Sequence, residues 1–438
     1  MSVARDSVHS FIFQVAAVVM GFVTNWIIAR TLGPEGKGML AFLASTQTVG
    51  IVLGGLGLHA AAVRHIGQKR FDPRTISLVQ LTSGIGAGLL VAIGLLFYLP
   101  HTQAKIGFPS EVIPAFLGSV LLALVALNLN GVLLGQGRIR TSNLLNALGP
   151  FFWTLSVLVL FALRPIHPET ALWCWIGTQA AGALVLILNV LRTDPPRTAE
   201  WRPAFVSILR FGLEAYLANA LWVLVLRIDA ILLGLWSGAA QVGIYSVSVA
   251  MAEALWYFPR AMNQASVSKV AGGGRGDALS LSLRTARVGI FLVLIFGCLL
   301  ALIARPAVRL VFGIAFDDSA TALLFLLPGM VGNALGGPLS LFISQQAGLP
   351  RLNALNAGLS LVLNLVLNAV WIPRFGASGA ALASSITYLF MGFLAALCVR
   401  KEVGFSWRRL LVIEGGDLAL IRDSLLALLP RSSGRSAP

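Results

Sequence analysis

Amide and ionisable side chains inside long apolar segments are the residues of this chain that could do chemistry. In the segment 240–262, an α-helix at about 100° per residue places Ser246, Glu253, Tyr257 and Arg260 within an arc of roughly 60°. Glu253 falls near the middle of the segment, where a carboxylate needs water, a proton or an ion partner. This face indicates a polar cavity lining, with a packed ion pair between Glu253 and a neighbouring arginine as the alternative.

Polar residues share a face on other apolar segments as well. Gln14 and Asn25 lie together on the first, where they either line a cavity or form an ordinary helix-packing surface. On another, Arg227 and Asp229 point in different directions, so we expect one of the two to serve the turn that follows. A third carries a longer polar stripe, which lipid cannot satisfy and which favours partial exposure to a cavity: Asn353, Asn356, Ser360, Asn364 and Asn368.

The sequence offers no combination of side chains typical of an enzyme. Its five histidines have no metal-binding spacing, and no Ser/His/Asp set or carboxylate pair can be assembled. The glycine-rich stretch 84–88 lies in an apolar segment, and the stretch 272–276 lacks the Lys-Ser/Thr of a phosphate loop. The three cysteines form no disulfide framework. We therefore predict a protein that is not an enzyme and that uses no cofactor or metal.

The elements that must position these polar faces are transmembrane helices. Hydrophobic residues make up 57% of the 438 residues and charged residues 11%, and the mean hydropathy is +0.85, which excludes a soluble protein of this size. One crossing needs about 20 apolar residues. The sequence predicts an all-α polytopic membrane protein with about twelve helices, near 8–31, 39–63, 75–99, 112–135, 143–163, 170–191, 206–234, 240–262, 285–304, 319–346, 352–372 and 378–399.

The net charge of +15 is explained by membrane topology rather than by nucleic acid. With the N-terminus inside, 24 of the 32 Lys and Arg residues fall on the cytoplasmic side and seven outside. This asymmetry places both termini of the multi-pass protein in the cytoplasm. In the tail, four residues at helical spacing predict an amphipathic helix on the inner leaflet, with a disordered tail as the alternative: Leu418, Ile421, Leu425 and Leu428.

The chain repeats itself in one orientation. The pattern Asn-x-Leu-Asn-Ala recurs at an offset of 210 residues, and the glycine-rich loop that begins at Gly33 recurs at an offset of 205. Parallel repeats of six helices are a transporter architecture, with the site between the halves near the membrane midplane. The predicted organisation is an N-terminal lobe at 1–192, a linker at 193–205, a C-terminal lobe at 206–400 and a cytoplasmic tail at 401–438.

Three segments carry a resemblance to a known family. They are 29–38 (ARTLGPEGKG), 227–234 with 241–247 (RIDAILLG and QVGIYSV), and 372–383 (IPRFGASGAALA). Together they resemble the polysaccharide biosynthesis family of lipid-linked oligosaccharide flippases, within the multidrug/oligosaccharidyl-lipid/polysaccharide exporter superfamily. The third segment is shared across the superfamily, whereas the first two favour the polysaccharide exporters.

The resemblance implies two six-helix lobes around a central cavity that work by alternating access. It implies as substrate an undecaprenyl-pyrophosphate-linked oligosaccharide (an O-antigen, capsule or exopolysaccharide repeat unit), moved from the inner to the outer leaflet for the cell envelope. Arg30, Arg227 and Asp229 occupy family motif positions, and Arg64 and Arg260 are basic groups at inner helix ends. The candidate substrate-binding residues are Gln14, Asn25, Arg30, Arg64, Arg227, Asp229, Glu253, Tyr257, Arg260 and Asn364.

Other functions predict other features. A cation-coupled multidrug exporter of the same fold is the main alternative, but it predicts clustered carboxylates in one lobe, and the N-terminal spans have almost none. A polymerase or ligase needs a long outer loop that the chain lacks, and a scaffold for glycan assembly would use the basic tail. The expected partners are the lipid-linked saccharide and the bilayer, with a glycan polymerase or glycosyltransferases as further candidates. Membrane potential or a proton on Glu253 can supply the drive.

Overall fold

The computed structural model describes residues 2–163, 166–195, 198, 200–413 and 417. Every regular element in these ranges is a helix, which confirms the predicted all-α class. The elements are α1 (Ser2–Gly55), α2 (Leu58–Gly67), α3 (Pro73–Ile106), α4 (Val112–Gly135), α5 (Ile139–Leu163), α6 (Pro168–Thr193), α7 (Trp201–Gly272), α8 (Arg275–Val311), a 3-10 turn (Ile314–Phe316), α9 (Asp317–Gln345), α10 (Pro350–Val403) and α11 (Trp407–Leu411).

Nine helical segments in the described ranges are long and apolar enough to cross a membrane. Three of them, in α1, α7 and α10, are 37, 42 and 54 residues long, whereas one crossing needs about 20. Each of the three contains one glycine in the left-handed region: Gly33 (φ 65°), Gly238 (φ 81°) and Gly376 (φ 53°). Counting each of these as two crossings gives the twelve helices that the sequence predicts.

The left-handed glycines reverse the direction of the chain. In α1, Lys37 Nζ donates a hydrogen bond to Asn25 Oδ1, although twelve residues of straight helix would separate the two by about 18 Å. In α7, the Tyr245 hydroxyl donates to Asp229 Oδ2 at 2.5 Å across sixteen residues. Both contacts require a hairpin. Glycine suits these corners because other residues seldom adopt a positive φ.

Contacts divide the described residues into two compact units. The first comprises Met1–Ser248, Arg305–Ala322 and Leu361–Ala383, and the second comprises Val249–Ala304, Leu323–Ser360 and Ser384–Pro438. This is a partition by contacts, whereas the lobes predicted from the repeat are a partition along the chain. The predicted lobe boundaries stay a prediction.

The core of the first unit includes the beginning of α7. Ala204 and Ile208 are fully buried in a cluster with residues of α2, α4 and α6, and Trp201 stacks on Phe205 with ring centroids 5.5 Å apart. Burial of this apolar face explains why α7 begins at Trp201, whereas the sequence places the start of the seventh helix at residue 206.

The second predicted helix, 39–63, is interrupted. Leu56 and Gly57 have φ angles of 46° and 68°, and α2 begins after them at Leu58. A Cβ on Gly57 would lie 2.4 Å from the carbonyl oxygen of Gly212, so the two backbones touch here. Apolar periodicity does not reveal such a break, because it is caused by a backbone contact 155 residues away.

The beginning of the tail belongs to the core of the second unit. Phe405 and Leu410 are 4% and 1% exposed, in a cluster that includes Val270, Phe342 and Val399. The predicted amphipathic positions 418, 421, 425 and 428 lie outside the described residues.

A buried ion pair fastens the tail to α8. Arg287 Nε and Nη2 donate to the two carboxylate oxygens of Asp417 at 2.6 and 2.9 Å, and Arg284 Nε donates to the same carboxylate at 3.1 Å. Arg287 is 6% exposed and Asp417 is 1% exposed. Two parallel hydrogen bonds from one guanidinium fix the geometry of this pair closely.

Candidate binding site

The clearest candidate site is a cavity of about 240 Å³ in the first unit, between the two arms of α1 and helices α5 and α6. Lys37 lies in its wall and is only 9% exposed. Asn25 Nδ2 donates to the Gly21 carbonyl at 2.8 Å, which turns Asn25 Oδ1 toward the Lys37 ammonium. The corner at Gly33 makes the site, because it folds Lys37 back onto the helix that carries Asn25.

The opposite wall of the cavity is aromatic and polar. Trp153 of α5 and Trp175 of α6 line it, and the hydroxyls of Thr24 and Thr154 lie 2.9 Å apart, connecting α1 to α5. Thr154 also donates to the Pro150 carbonyl at 2.9 Å, so its hydroxyl is held in place.

This arrangement can bind an anion or a sugar. A buried ammonium group is costly unless it is paired, and among the described residues Lys37 Nζ donates its hydrogen bond to a neutral amide oxygen, Asn25 Oδ1. An anionic ligand would therefore supply the ion partner that the amide does not. Indole faces provide apolar surface for the C–H face of a pyranose, and the amide and hydroxyls can replace water around its hydroxyl groups. Among the described residues, no group of His, Cys, Asp and Glu is arranged to hold a metal ion.

The helix corners meet beside this cavity in the first unit. A Cβ on Gly38 would lie 1.7 Å from the Ala239 carbonyl oxygen, so the α1 and α7 corners are in backbone contact. Gln241 joins the α10 corner, because its Oε1 accepts a hydrogen bond from the Ala377 N–H at 2.8 Å, next to Gly376. The three segments that carry the family resemblance therefore converge at one place.

Arg30 has a structural contact at these corners. Its Nε donates to the Val311 carbonyl at 2.8 Å, and its Nη2 donates to the Leu310 carbonyl. The last carbonyls of a helix have no partner within the helix, so Arg30 caps the end of α8. Its predicted role in substrate binding stays a prediction.

Arg227 and Asp229 differ in burial, and the predicted division of their roles stays a prediction. Asp229 is fully buried and accepts the hydrogen bond from Tyr245 across the α7 corner, so it is the member of the pair that serves the turn. Arg227 is half-buried and is also engaged in an interaction. Arg227 therefore stays the candidate of the two for contact with substrate.

The predicted face on the second arm of α7 lies in the second unit. Glu253 is half-buried, Tyr257 is 49% exposed, and Arg260 is exposed with its guanidinium 5.8 Å from the centroid of the Trp256 ring. Tyr257 and Arg260 are thus more exposed than Glu253. The three candidates occupy one face of one helix, and their part in binding stays a prediction.

The asparagine stripe of α10 is buried rather than exposed to a cavity. Asn364 and Asn368 are both 0% exposed, and Asn368 Nδ2 donates to Asn364 Oδ1 at 2.9 Å. Asn356 Nδ2 donates to the Met391 carbonyl at 2.9 Å in the following arm. Part of the stripe is thus hydrogen-bonded within the protein, whereas Asn364 Nδ2 and Asn368 Oδ1 are buried with no hydrogen-bond partner among the described residues. A ligand has no access to Asn364 in this structure.

The two remaining candidates lie at different places. Gln14 is part of α1, but its side chain lies outside those the structure describes. Arg64 is exposed at the end of α2, with its guanidinium 4.2 Å from the centroid of the Phe211 ring. The sequence interpretation missed Lys37, because a lysine after an apolar helix is normally assigned to a loop. The small neighbours Gly36 and Gly38 are the signal that could have found it.

Comparison with known proteins agrees with the resemblance in the three segments. The family model described as polysaccharide biosynthesis protein matches residues 3–267. A relative from Haloferax volcanii, named probable flippase AglR, is 22% identical over 420 residues, which cover 91% of this chain and 84% of the relative.

Two solved structures show the same fold. One is the lipid II flippase MurJ in an inward closed conformation, with a TM-score of 0.72, 12% identity, and coverage of 97% of this chain and 93% of that chain. The other is an inward-facing multidrug resistance MATE transporter of the MOP superfamily, with a TM-score of 0.69, 17% identity, and coverage of 88% and 94%.

Proposed function

Because this chain belongs to the polysaccharide biosynthesis protein family, we propose that it is a flippase for a lipid-linked oligosaccharide. The substrate is a saccharide joined to undecaprenyl pyrophosphate, moved from the inner to the outer leaflet of a bacterial plasma membrane. The relatives named above are flippases and a transporter, which supports transport rather than catalysis. Both termini are proposed to be cytoplasmic, from the distribution of Lys and Arg.

The observation that carries this proposal is the buried Lys37 beside Asn25, in a cavity walled by two tryptophans. A polar saccharide loses its water when it crosses hydrocarbon, and each unsatisfied polar group costs several kcal/mol there. The amide and hydroxyls of the cavity offer replacement hydrogen bonds without requiring one particular sugar. A drug exporter for organic cations would gain nothing from a buried ammonium.

In alternating access, the contacts between the three helix corners would act as the closed gate on one side of the membrane. On the predicted topology, the corners at Gly33, Gly238 and Gly376 lie at the outer ends of the helices. Their contacts close that side of the first unit, and substrate release to the outer leaflet requires them to separate. The lipid chain stays in the bilayer while the saccharide passes.

Deletion of the gene tests the function. A flippase mutant accumulates the lipid-linked oligosaccharide in the inner leaflet and loses the surface glycan, and expression of this chain restores both. The fold is shared with a multidrug transporter, so drug susceptibility is measured in the same strains. Unchanged surface glycan together with increased drug susceptibility would overturn the proposal in favour of a multidrug exporter. Co-purification of a glycan polymerase or glycosyltransferase tests the proposed partners.

A further inference from the structure

The end of α2 and the beginning of α7 form an open groove of about 770 Å³ in the first unit. Four arginines line it: Arg64, Arg70, Arg202 and Arg210. No carboxylate is among the lining residues that the structure describes. The predicted topology places all four arginines on the cytoplasmic side. The volume lies within the usual range for small-molecule sites, so the groove is large enough for more than a simple ion.

The positive charge of the groove is held in place by aromatic rings. The Arg64 guanidinium lies 4.2 Å from the centroid of the Phe211 ring, and that of Arg70 lies 5.6 Å from the centroid of the Phe71 ring. Within the described ranges, no carboxylate forms an ion pair with Arg64, Arg70 or Arg202. A stacked guanidinium keeps its N–H groups available at the ring edge, where they can donate two parallel hydrogen bonds to a phosphate.

A buried histidine makes the two walls of the groove rigid. His65 is 2% exposed, and its Nδ1–H donates to the Ala61 carbonyl at 2.8 Å, since a carbonyl only accepts. In the neutral ring, Nε2 then accepts the hydrogen bond from the Ser207 hydroxyl at 2.8 Å, which joins α2 to α7. The backbone contact of Gly57 with Gly212 holds the same two helices together further along.

The backbone is strained on both sides of the groove. Three non-glycine residues in the described ranges have left-handed φ angles: Leu56 (46°) before α2, Lys69 (53°) after α2, and Glu200 (55°) before α7. Such conformations are unfavourable and persist where the surrounding structure imposes them, often at ligand sites. All three flank the two helices that form the groove. At Lys69, glycine would relieve the strain but would remove a positive charge beside the arginines.

One face of α7 continues from the arginines into apolar surface. At about 100° per residue, Arg202, Arg210, Leu213 and Leu217 fall within roughly 80° of arc, with both arginines at the start of the helix. Leu213 and Leu217 are 49% and 56% exposed. This order of cations followed by exposed apolar side chains matches an amphiphile with an anionic head.

We propose that this groove binds the phosphate-bearing headgroup of a lipid, with the lipid chain along Leu213 and Leu217 of α7. Two sources share this chemistry: an isoprenoid diphosphate and an anionic membrane phospholipid. An isoprenoid diphosphate as the natural ligand rests on the proposed flippase function, whereas binding of a lipid phosphate in the groove does not.

Binding to the purified full-length protein in detergent tests the groove. The probes are farnesyl diphosphate, inorganic pyrophosphate and cardiolipin, titrated calorimetrically. The groove variant is Arg64→Gln with Arg202→Gln, and the matched control is Arg192→Gln with Arg351→Gln, which removes two exposed arginines from the same predicted side of the membrane. Because hydrogen bonds to charged groups are strong, we expect the groove variant to bind lipid phosphate at least about tenfold more weakly, and the control to bind as the parent does.

Each outcome either supports the proposed lipid-phosphate site or overturns it. Arginine-dependent binding of farnesyl diphosphate supports the isoprenoid source, and arginine-dependent binding of cardiolipin alone supports the membrane source. If pyrophosphate binds as tightly as farnesyl diphosphate, the apolar face of α7 contributes nothing, and the lipid assignment is overturned. Equal binding by parent and groove variant, or no binding of any probe to the parent, overturns the site. A failed flippase test leaves this binding result intact, because neither assay depends on the other.

Discussion

Gly38 and Gly243 pack reciprocally against each other's helix corner. Gly38 approaches the carbonyl of Ala239, and Gly243 approaches the carbonyl of Pro34, where a Cβ on Gly243 would lie 2.0 Å away. Gly38 and Gly243 are 205 residues apart in the sequence, and so are Pro34 and Ala239. The same offset relates Gly33 to Gly238. In an isologous contact, the same surface is used by both partners. The two repeats of this chain therefore meet through equivalent backbone, which gives the repeat in the sequence a counterpart in space.

Gly38→Val should disrupt this contact. Its side chain would overlap the α7 backbone, and overpacking of this kind costs about 1–3 kcal/mol or more. We expect the thermal unfolding midpoint of the purified protein to fall and surface glycan in the complemented strain to be lost. Gly118→Val in α4 is the control, since a Cβ at Gly118 meets nothing within 4 Å. Equal effects of the two substitutions would contradict a specific role of the corner.

Lys37→Met should reduce export at least about tenfold without preventing membrane insertion, because it removes the buried charge that faces the ligand. Lys37→Arg, which keeps the charge, should retain part of the activity. Lys105→Met is the matched control, since Lys105 is exposed and donates to the Leu235 carbonyl outside the cavity. Export is followed as surface glycan in the deletion strain. Full export by Lys37→Met would show that the cavity does not contact substrate.

Arg227→Ala and Glu253→Gln should each impair export while the protein still inserts. Arg227 is half-buried and can present positive charge to an anionic substrate, and Glu253 lies where a carboxylate can exchange a proton or bind a hydroxyl. The control is Glu111→Gln, which makes the same substitution at an exposed glutamate. The measurement is complementation of the deletion strain at matched membrane levels. If both variants complement fully, the two residues are not part of the transport path.

Tyr245→Phe should lower stability rather than affinity. It leaves a buried oxygen of Asp229 without its hydroxyl donor, which costs about 1–3 kcal/mol. A double-mutant cycle with Asp229→Ala, which removes the acceptor, should give a coupling energy between the two residues of similar size, measured by thermal unfolding. Additive effects would mean that the bond between Tyr245 and Asp229 does not hold the α7 hairpin together.

Arg287→Gln should be strongly destabilising. Removal of one partner of a buried ion pair costs about 3–5 kcal/mol, because the other charge stays buried. The control is Arg275→Gln, whose contact with Glu402 is 3.5 Å long and exposed, and an exposed pair of this kind contributes about 1 kcal/mol or less. Unfolding midpoints in detergent provide the comparison. Similar midpoints for the two variants would show that Asp417 does not hold the tail in place.

The helices could be predicted from sequence because a membrane imposes a length on every apolar segment. The corners could be predicted as well, since Gly33 and Gly238 stand in polar breaks that recur at one offset. The break at Leu56 and Gly57 could not, because it is caused by the distant Gly212 backbone and leaves no mark on local hydropathy.

The site was only partly predictable for a related reason. Periodicity identifies the face on which a residue lies, but it does not identify what covers that face. Asn25 and Lys37 are close in sequence, yet only the angle of the corner between them shows that they meet. Asn364 was expected to reach a cavity, but it is buried, and its Oδ1 accepts a hydrogen bond from Asn368.

The fastening of the tail has a consequence for synthesis of the protein. Phe405, Leu410 and Asp417 pack onto the second unit, so that unit cannot finish folding until residue 417 has left the ribosome. A chain that stops before residue 405 exposes an apolar surface and two arginines, Arg284 and Arg287, that have lost Asp417. Membrane quality control can therefore recognise a truncated molecule by the surface that is exposed when this contact is missing.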